Sequence, residues 1–163
     1  MVTVEKRLAK LNRGELDVND FTMKGAIPFL KELRSRGVTL YLASGTDHDD
    51  VAHEAKALGY ADLFNGGIFG ASGLPGRNVK KEVIERVFSQ KGLAGSELVC
   101  FGDGPVELRE GKKHGGNAVG IASDEIRRYG LNPAKRERLI SAGADMIIPD
   151  FSQPAALTRC LFG

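Results

Sequence analysis

The chain has 163 residues, enough for one domain with a sizeable core, and its 42% hydrophobic and 27% charged residues are ordinary for a globular protein. A net charge of +2, with Lys and Arg scattered, argues against a nucleic acid or an anionic membrane as a partner. There is no apolar stretch long enough to span a bilayer and no apolar signal region. Two cysteines do not make a disulfide framework, and Cys100 reads as a small buried hydrophobe, so we predict a cytoplasmic protein in a reducing compartment.

Apolar residues recur at helical and at strand spacing from Met23 onward. Residues 1–22 predict one short helix and a loop. The pattern then predicts a helix that stops at Gly37 and further helices over 49–58, 79–90, 106–114, 133–141 and 155–161. It predicts strands over 38–43, 98–101, 118–122 and 146–148, and a short strand with a turn in or beside it within 63–69. Strands that alternate with helices are typical of a doubly wound parallel sheet in a three-layer α/β/α arrangement. We therefore predict an α/β core over 23–163, preceded by a separate segment over 1–22.

An acidic turn follows the predicted strand over 98–101. Gly102 and Gly104 flank Asp103, which predicts a tight turn with the carboxylate at the carboxyl end of the strand, where ligands bind in open α/β sheets. Glu107 falls in the first turn of the next helix, four residues after Asp103. Two carboxylates at this edge indicate a hard divalent cation such as Mg²⁺. The alternative is that Asp103 only caps the helix.

A second polar corner ends the predicted strand over 38–43. Ser44, Gly45 and Thr46 supply a hydroxyl group and open backbone N–H groups, which can hold a phosphate oxygen. The alternative is a plain helix N-cap, for which Thr46 or Asp47 would serve.

Two lysines, Lys80 and Lys81, open the helix after a Gly-rich loop. A lysine near a helix N-terminus is slightly unfavourable against the helix dipole, so its position there needs a reason. Neutralising a phosphate or a metal-bound carboxylate would be one reason, and the alternative is a pair of solvated surface lysines.

These motifs occur in the order found in a known enzyme family. The strand ending at Ser44, the helix opening with Lys80 or Lys81, and the sequence Gly-Asp-Gly-Pro-Val-Glu at 102–107 resemble the second, third and fourth motifs of the haloacid dehalogenase (HAD) superfamily of phosphohydrolases, in its phosphoglycolate-phosphatase-like form. The likeness covers 23–163. It implies a HAD-like Rossmannoid fold, a three-layer α/β/α core with a doubly wound parallel sheet.

The resemblance also implies the roles of the site residues. The implied residues are Ser44, Gly45 and Thr46 for phosphate, Lys80 or Lys81 for charge stabilisation, and Asp103 and Glu107 for Mg²⁺, with Glu107 orienting a water or the lysine. Such a division suits phosphoryl transfer, which depends on positioning and neutralisation of charge. Lys80 is preferred to Lys81 because it lies three residues before the core-facing Val83. The implied cofactor is Mg²⁺ and the implied substrate is a small phosphorylated metabolite.

One departure from the family pattern concerns the nucleophile. HAD enzymes attack phosphate with the first Asp of an Asp-x-Asp motif on a central strand, and no such motif precedes Ser44. The nearest candidates, Asp17 and Asp20, are three residues apart and do not follow a strand. We therefore expect a core that lacks its first central strand and most of the cap, with 1–22 as a cap remnant. The open strand position is expected between the strands that carry Ser44 and Asp103. It would be filled by the segment 2–4, by a neighbouring chain or by a rearranged sheet, and the chain could form a homo-oligomer or associate with the missing N-terminal part.

Two main hypotheses follow for function. The first is a magnesium-dependent phosphatase core that is inactive alone because the nucleophile is absent. The second is a non-catalytic module that binds phosphate and Mg²⁺, and a receiver-like or nucleotide-binding domain is a weaker third because no GxGxxG motif follows the first strand. The histidines at 48, 53 and 114 lack metal-ligand spacing and are expected to be surface or capping residues. Asp124 and Glu125 follow the predicted strand over 118–122 and could border the pocket, but a solvated loop is the favoured reading.

Overall fold

The computed structural model describes residues 4–163, apart from the side chains of Val4, Arg7 and Asn19. The described helices are α1 Val4–Asn12, α2 Ala26–Ser35, α3 His48–Ala57, α4 Val79–Lys91, α5 Pro105–Lys113, α6 Pro133–Ser141 and α7 Pro154–Phe162. The described strands are β1 Tyr41–Asp47, β2 Gly67–Ala71, β3 Val99–Gly102, β4 Asn117–Ile121 and β5 Met146–Ile148. The chain forms two compact units, of which the first ends at Val79 and the second comprises Lys80–Gly163.

The first unit contains a parallel pair of strands, β1 and β2. Helix α3 packs on both strands, and α1 contacts α3. Helix α2 ends at Ser35, and the predicted stop, Gly37, follows its last turn with a positive φ. The N–H groups of Gly37 and Val38 donate to the carbonyl oxygens of Arg34 and Leu33, which closes the helix in a Schellman motif. The buried apolar residues of this unit are Leu8, Phe29, Leu33, Leu40, Ala55 and Leu58.

Two strand predictions in the first unit need correction. Strand β1 starts three residues later than predicted because the Leu40 N–H donates to the Asn65 side chain at 2.9 Å instead of joining a strand ladder. The segment 63–69, predicted as a short strand with a turn in or beside it, begins at the end of a short 3-10 helix, Ala61–Leu63, and its strand, β2, starts only at Gly67. A turn separates the two, and Gly67 has a φ of 123°, which favours glycine.

The second unit is built on the parallel strands β3, β4 and β5, paired in that order. Helix α5 packs on β3 and β4, and α6 packs on β4 and β5. Their core side chains are Leu108, Ala118, Ala122, Leu139 and Ala142. Each of α5, α6 and α7 begins with a proline, the residue best suited to the first helical position. The predicted order of strands and helices in this unit is confirmed, with bounds that agree within about two residues.

Small residues allow close packing around β3. Cys100 is buried, and its Sγ would lie 2.6 Å from a Cβ placed on Gly111 of α5. Both cysteines of the chain are free, as expected, and Cys160 is exposed. Burial first, and the nearby negative charge of Glu107 second, raise the pKa of the Cys100 thiol to about 11. Cys100 is therefore an inert core residue.

The carboxylate of Asp145, in the turn before β5, is hydrogen-bonded to the start of β4. Asp145 accepts hydrogen bonds from the Ala118 N–H at 2.8 Å and from Lys112 Nζ at 2.9 and 3.0 Å. The hydrogen bond from Lys112, followed by that from Ala118, lowers the pKa of Asp145 below its ordinary value.

The described strands form two sheets, in which β1 pairs with β2 and β3 pairs with β4. Residues 2 and 3 of the segment expected to fill the open strand position lie outside the described residues, and Val4 begins α1. Within residues 4–163, no helix combines the length and the apolar character needed to cross a membrane.

Candidate functional site

The acidic turn joins β3 to α5 in the second unit. The Gly104 N–H donates to Glu107 Oε1 at 3.2 Å, so this side chain in the first turn caps its own helix. The chain bends at 103–104, between β3 and α5, without a positive φ at Gly102 or Gly104. Gly102 is needed for space: the Glu107 side chain lies directly on it, where any Cβ would overlap with Cγ and Oε1.

Lys80, near the start of α4, pairs with this same carboxylate. Its Nζ donates to Oε1 and Oε2 of Glu107, both at 3.1 Å. The Glu107 side chain is 10% exposed and that of Lys80 is 30% exposed, so the pair is largely withdrawn from water. The helix-opening lysine and the second acidic residue, 27 positions apart in sequence, therefore act as one unit.

Lys81 points elsewhere. Its Nζ lies 3.9 Å from Glu85 Oε1, one turn along the same helix, and its side chain is exposed. The sequence did not decide which of the two lysines lies beside the acidic turn, and the structure shows that it is Lys80.

A second lysine, which was not predicted from the sequence, lies at this turn. The Lys135 side chain is only 5% exposed, and its Nζ lies 3.4 Å from Asp103 Oδ2 and 3.3 Å from Glu125 Oε1. Lys135 belongs to the first turn of α6, which Asn132 caps by accepting the Lys135 N–H. Lys80 was predicted because it lies near a helix N-terminus, where a lysine is unfavourable. Lys135 lies in a similar position, so the same criterion could have identified Lys135.

The loop after β4 borders the acidic turn through Glu125. Asp124, next to it, accepts the N–H groups of Ile126 and Arg127, and the bond from Arg127 is the main cause that lowers the pKa of Asp124. Asp124 therefore shapes the loop, while Glu125 is exposed apart from its contact with Lys135.

Ser44, Gly45 and Thr46 lie in the first unit, within the irregular end of β1. Ala43 pairs with Phe69 and Asp47 pairs with Ala71, so these three residues occupy a shift in register. Ser44 Oγ accepts the Thr46 N–H at 3.1 Å.

Asp47 caps α3, since its Oδ1 accepts the Asp49 N–H at 3.0 Å. Of the two residues that the capping alternative offered, the structure therefore uses Asp47. Convergence of Ser44 with Lys80 and Asp103 stays a prediction.

The other polar residues considered from the sequence have local roles. Asp20 ends the short 3-10 helix Val18–Asp20, and its Oδ2 accepts the Asp17 N–H, so this pair does not stand at a strand end. His53 is exposed, and His48 Nδ1 accepts the Gly70 N–H at 3.3 Å. His114 is the C-cap residue of α5, in agreement with its expected capping role.

The donor groups at the acidic turn fit Mg²⁺ unequally. Asp103 offers a carboxylate that is 57% exposed and has one long contact with Lys135, which suits a hard cation that retains several waters. Both oxygens of Glu107 already accept hydrogen bonds from Lys80, and one also accepts the Gly104 N–H. Asp103 is therefore suited to bind Mg²⁺ directly, and Glu107 is suited to hold Lys80 in place.

Comparisons with known proteins place this fold. The family model described as haloacid dehalogenase-like hydrolase matches residues 3–115, more than half of the chain. Comparison with curated proteins gives no significant match.

Solved structures share the fold at low sequence identity. A haloacid dehalogenase-like hydrolase from Streptococcus pneumoniae is 23% identical with a TM-score of 0.61, over 84% of this chain and 58% of that one. A predicted phosphoglycolate phosphatase from Haemophilus somnus 129PT is 20% identical with a TM-score of 0.66, over 83% and 56%. A HAD family hydrolase from Deinococcus radiodurans R1, with bound phosphate and sodium, is 20% identical with a TM-score of 0.66, over 85% and 58%.

The chain thus spans less than 60% of the length of these solved proteins. The likeness confirms the predicted fold class, a HAD-like three-layer α/β/α fold with parallel strands. By the match of its family model, the chain belongs to the haloacid dehalogenase-like hydrolase family.

Proposed function

We propose that residues 1–163 supply the phosphate- and Mg²⁺-binding part of a phosphatase that acts on a small phosphorylated metabolite. The observation that carries the proposal is the Lys80–Glu107 pair beside Asp103, at the carboxyl end of β3. An ammonium group held by a buried carboxylate, next to an exposed carboxylate, provides fixed positive charge and a cation ligand at one strand end.

Each site residue has a distinct role in this proposal. Asp103 binds Mg²⁺, which when bound neutralises charge on the phosphoryl oxygens. Lys80, fixed by Glu107, stabilises negative charge on the phosphate. Ser44 donates its hydroxyl hydrogen to a phosphoryl oxygen, while its own oxygen already accepts the Thr46 N–H.

In this proposal Gly45 contributes its backbone N–H group to the same oxygen, and the Thr46 N–H group, which donates to Ser44 Oγ, orients the Ser44 hydroxyl group. Lys81 has no part in it, because it faces Glu85 on its own helix.

The substrate class follows from the family and its solved members. One similar structure is named a predicted phosphoglycolate phosphatase and another holds bound phosphate, which supports a phosphorylated substrate for this chain. The printed sequence has no Asp-x-Asp ahead of Ser44, so we propose that the chain alone binds phosphate without hydrolysing its esters.

The test is binding and turnover by the purified chain. Titration calorimetry with inorganic phosphate should show binding that requires MgCl₂ and is lost in Asp103→Asn. Ser44→Ala should weaken phosphate binding, whereas Glu137→Gln, an exposed position on α6, should leave it unchanged. Phosphate binding that ignores both Mg²⁺ and Asp103 would overturn the proposal.

Turnover is measured separately with p-nitrophenyl phosphate. We expect no hydrolysis above the buffer rate by the wild-type chain. Magnesium-dependent hydrolysis that Asp103→Asn abolishes would show that the chain carries its own nucleophile, against this proposal.

A further inference from the structure

A second group of potential ligands lies on α4 and α5, away from the acidic turn. Glu85 belongs to α4, Glu110 belongs to α5, and His114 caps the C-terminus of α5. One ligand atom from each residue lies within 4.8 Å of the other two. Glu110 and His114 are four positions apart and share one face of the helix, so three donors from two helices converge on one point.

Two of these donors are buried and lack partners. Among the described residues, nothing forms a hydrogen bond with Glu110 Oε2 or His114 Nε2, although neither atom reaches solvent. Buried polar atoms are nearly always paired, so two unpaired atoms beside each other require an explanation. A carboxylate oxygen can ligate a metal ion, and so can an imidazole nitrogen that carries no hydrogen, so one bound cation would satisfy both atoms.

The neighbouring lysines do not satisfy these carboxylates. Lys81 Nζ lies 3.9 Å from Glu85 Oε1, and Lys113 Nζ lies 3.9 Å from Glu110 Oε2, both too long for hydrogen bonds. Both lysine side chains are exposed, so their ammonium groups can turn to water when a cation enters.

An aromatic contact fixes the imidazole. The His114 ring stacks on Phe88 of α4, with ring centroids 4.7 Å apart and planes 20° apart. Phe88 lies three residues after Glu85, so α4 both presents a carboxylate and orients the histidine that completes the group.

We propose that Glu85, Glu110 and His114 form a binding site for a divalent transition-metal ion, with Zn²⁺ the best match. Two carboxylate oxygens and one imidazole nitrogen suit Zn²⁺, which commonly takes three protein ligands and a water. Mg²⁺ prefers oxygen ligands only, so the site is chemically distinct from the proposed Mg²⁺ ligand Asp103. A metal ion here would brace α4 against α5, the helices that carry Lys80 and Glu107.

The test is Zn²⁺ binding by the purified chain, freed of metal with a chelator and carrying Cys160→Ser to remove an exposed thiol. Titration calorimetry should show one Zn²⁺ per chain. Glu85→Gln should weaken the affinity by at least about tenfold, the lower end of what loss of an outer-shell partner costs. His114→Phe should do the same, because it removes the ligand but keeps a ring to stack on Phe88.

Two controls make the result specific. His53→Ala removes an exposed histidine outside the site and should leave Zn²⁺ affinity unchanged. Asp103→Asn should also leave it unchanged, so the Zn²⁺ result stands or falls separately from the proposed function. Co²⁺ should give the visible absorption of a low-coordinate nitrogen- and oxygen-bound site, lost in His114→Phe. Absence of Zn²⁺ binding, or binding that survives both site variants, would overturn the proposal.

Discussion

Loss of Lys80 should destabilise the protein more than loss of its partner Glu107. Lys80→Met leaves the Glu107 carboxylate only 10% exposed, with the Gly104 N–H as its remaining hydrogen-bond donor. Glu107→Gln leaves Lys80, which is 30% exposed, able to turn toward water, and the amide oxygen can still accept the Gly104 N–H. The two halves of one ion pair should therefore differ in cost.

The magnitudes follow from burial. Breaking a buried pair costs about 3–5 kcal/mol when the remaining charge is uncompensated, and the retained bond from Gly104 reduces this to about 2–3 kcal/mol for Lys80→Met. Glu107→Gln should cost about 1 kcal/mol, because its remaining partner is accessible to water. The double variant should cost less than the sum of the two, with a coupling energy of about 1 kcal/mol.

Urea unfolding followed by far-UV circular dichroism gives these free energies. Lys81→Met is the matched control: the neighbouring lysine is 44% exposed and 3.9 Å from its carboxylate, so its loss should cost less than about 0.5 kcal/mol. If Lys80→Met costs no more than Lys81→Met, the Lys80–Glu107 pair does not hold the turn.

Three further experiments test other features of the structure. Gly102→Ala should destabilise by about 1–3 kcal/mol in urea unfolding, because its methyl group overlaps with the glutamate side chain that lies on it; wild-type stability would show that the side chain can move without cost. Asp145 has a lowered folded-state pKa, so its stabilisation is present above the ordinary value of 3.8 and is lost as the pH falls through the folded-state pKa. Asp145→Asn should therefore be less stable than wild type at pH 7, with a difference that shrinks in thermal unfolding at acidic pH; a constant difference would contradict this. Cys160 should react rapidly with a thiol reagent in the folded chain and Cys100, buried with a pKa of about 11, only after denaturation; equal labelling rates would contradict the burial of Cys100.

Much of the fold could be predicted because its signals are local. Glycine stops, proline starts and apolar spacing mark the helices, and the helix predicted over 133–141 is α6, residue for residue. The start of β1 was predicted wrongly because a distant side chain replaces local pairing there. Asn65 takes the N–H group of Leu40, which delays β1 in a way that a pattern within one segment cannot show.

The residues of the candidate site likewise include some that local sequence motifs reveal and some that depend on packing. Asp103 and Glu107 could be found because they follow a strand within one short motif, and Lys80 because it opposes a helix dipole. That Lys80 rather than Lys81 meets Glu107 depends on how α4 is rotated against α5, which is a matter of packing. Lys135, 32 positions from Asp103, stands among charged residues of α6 and looks solvated in sequence, although it is almost fully buried.

The ammonium of Lys135 makes the strand end and the loop after β4 dependent on each other. The buried positive charge of Lys135 needs an anion beside it, and the carboxylates of Asp103 and Glu125 both serve as counterions. A cation bound to Asp103 would leave Glu125 as the counterion of Lys135 among the described residues. Through the Lys135 side chain, the exposed loop after β4 would therefore respond to metal binding at the end of β3.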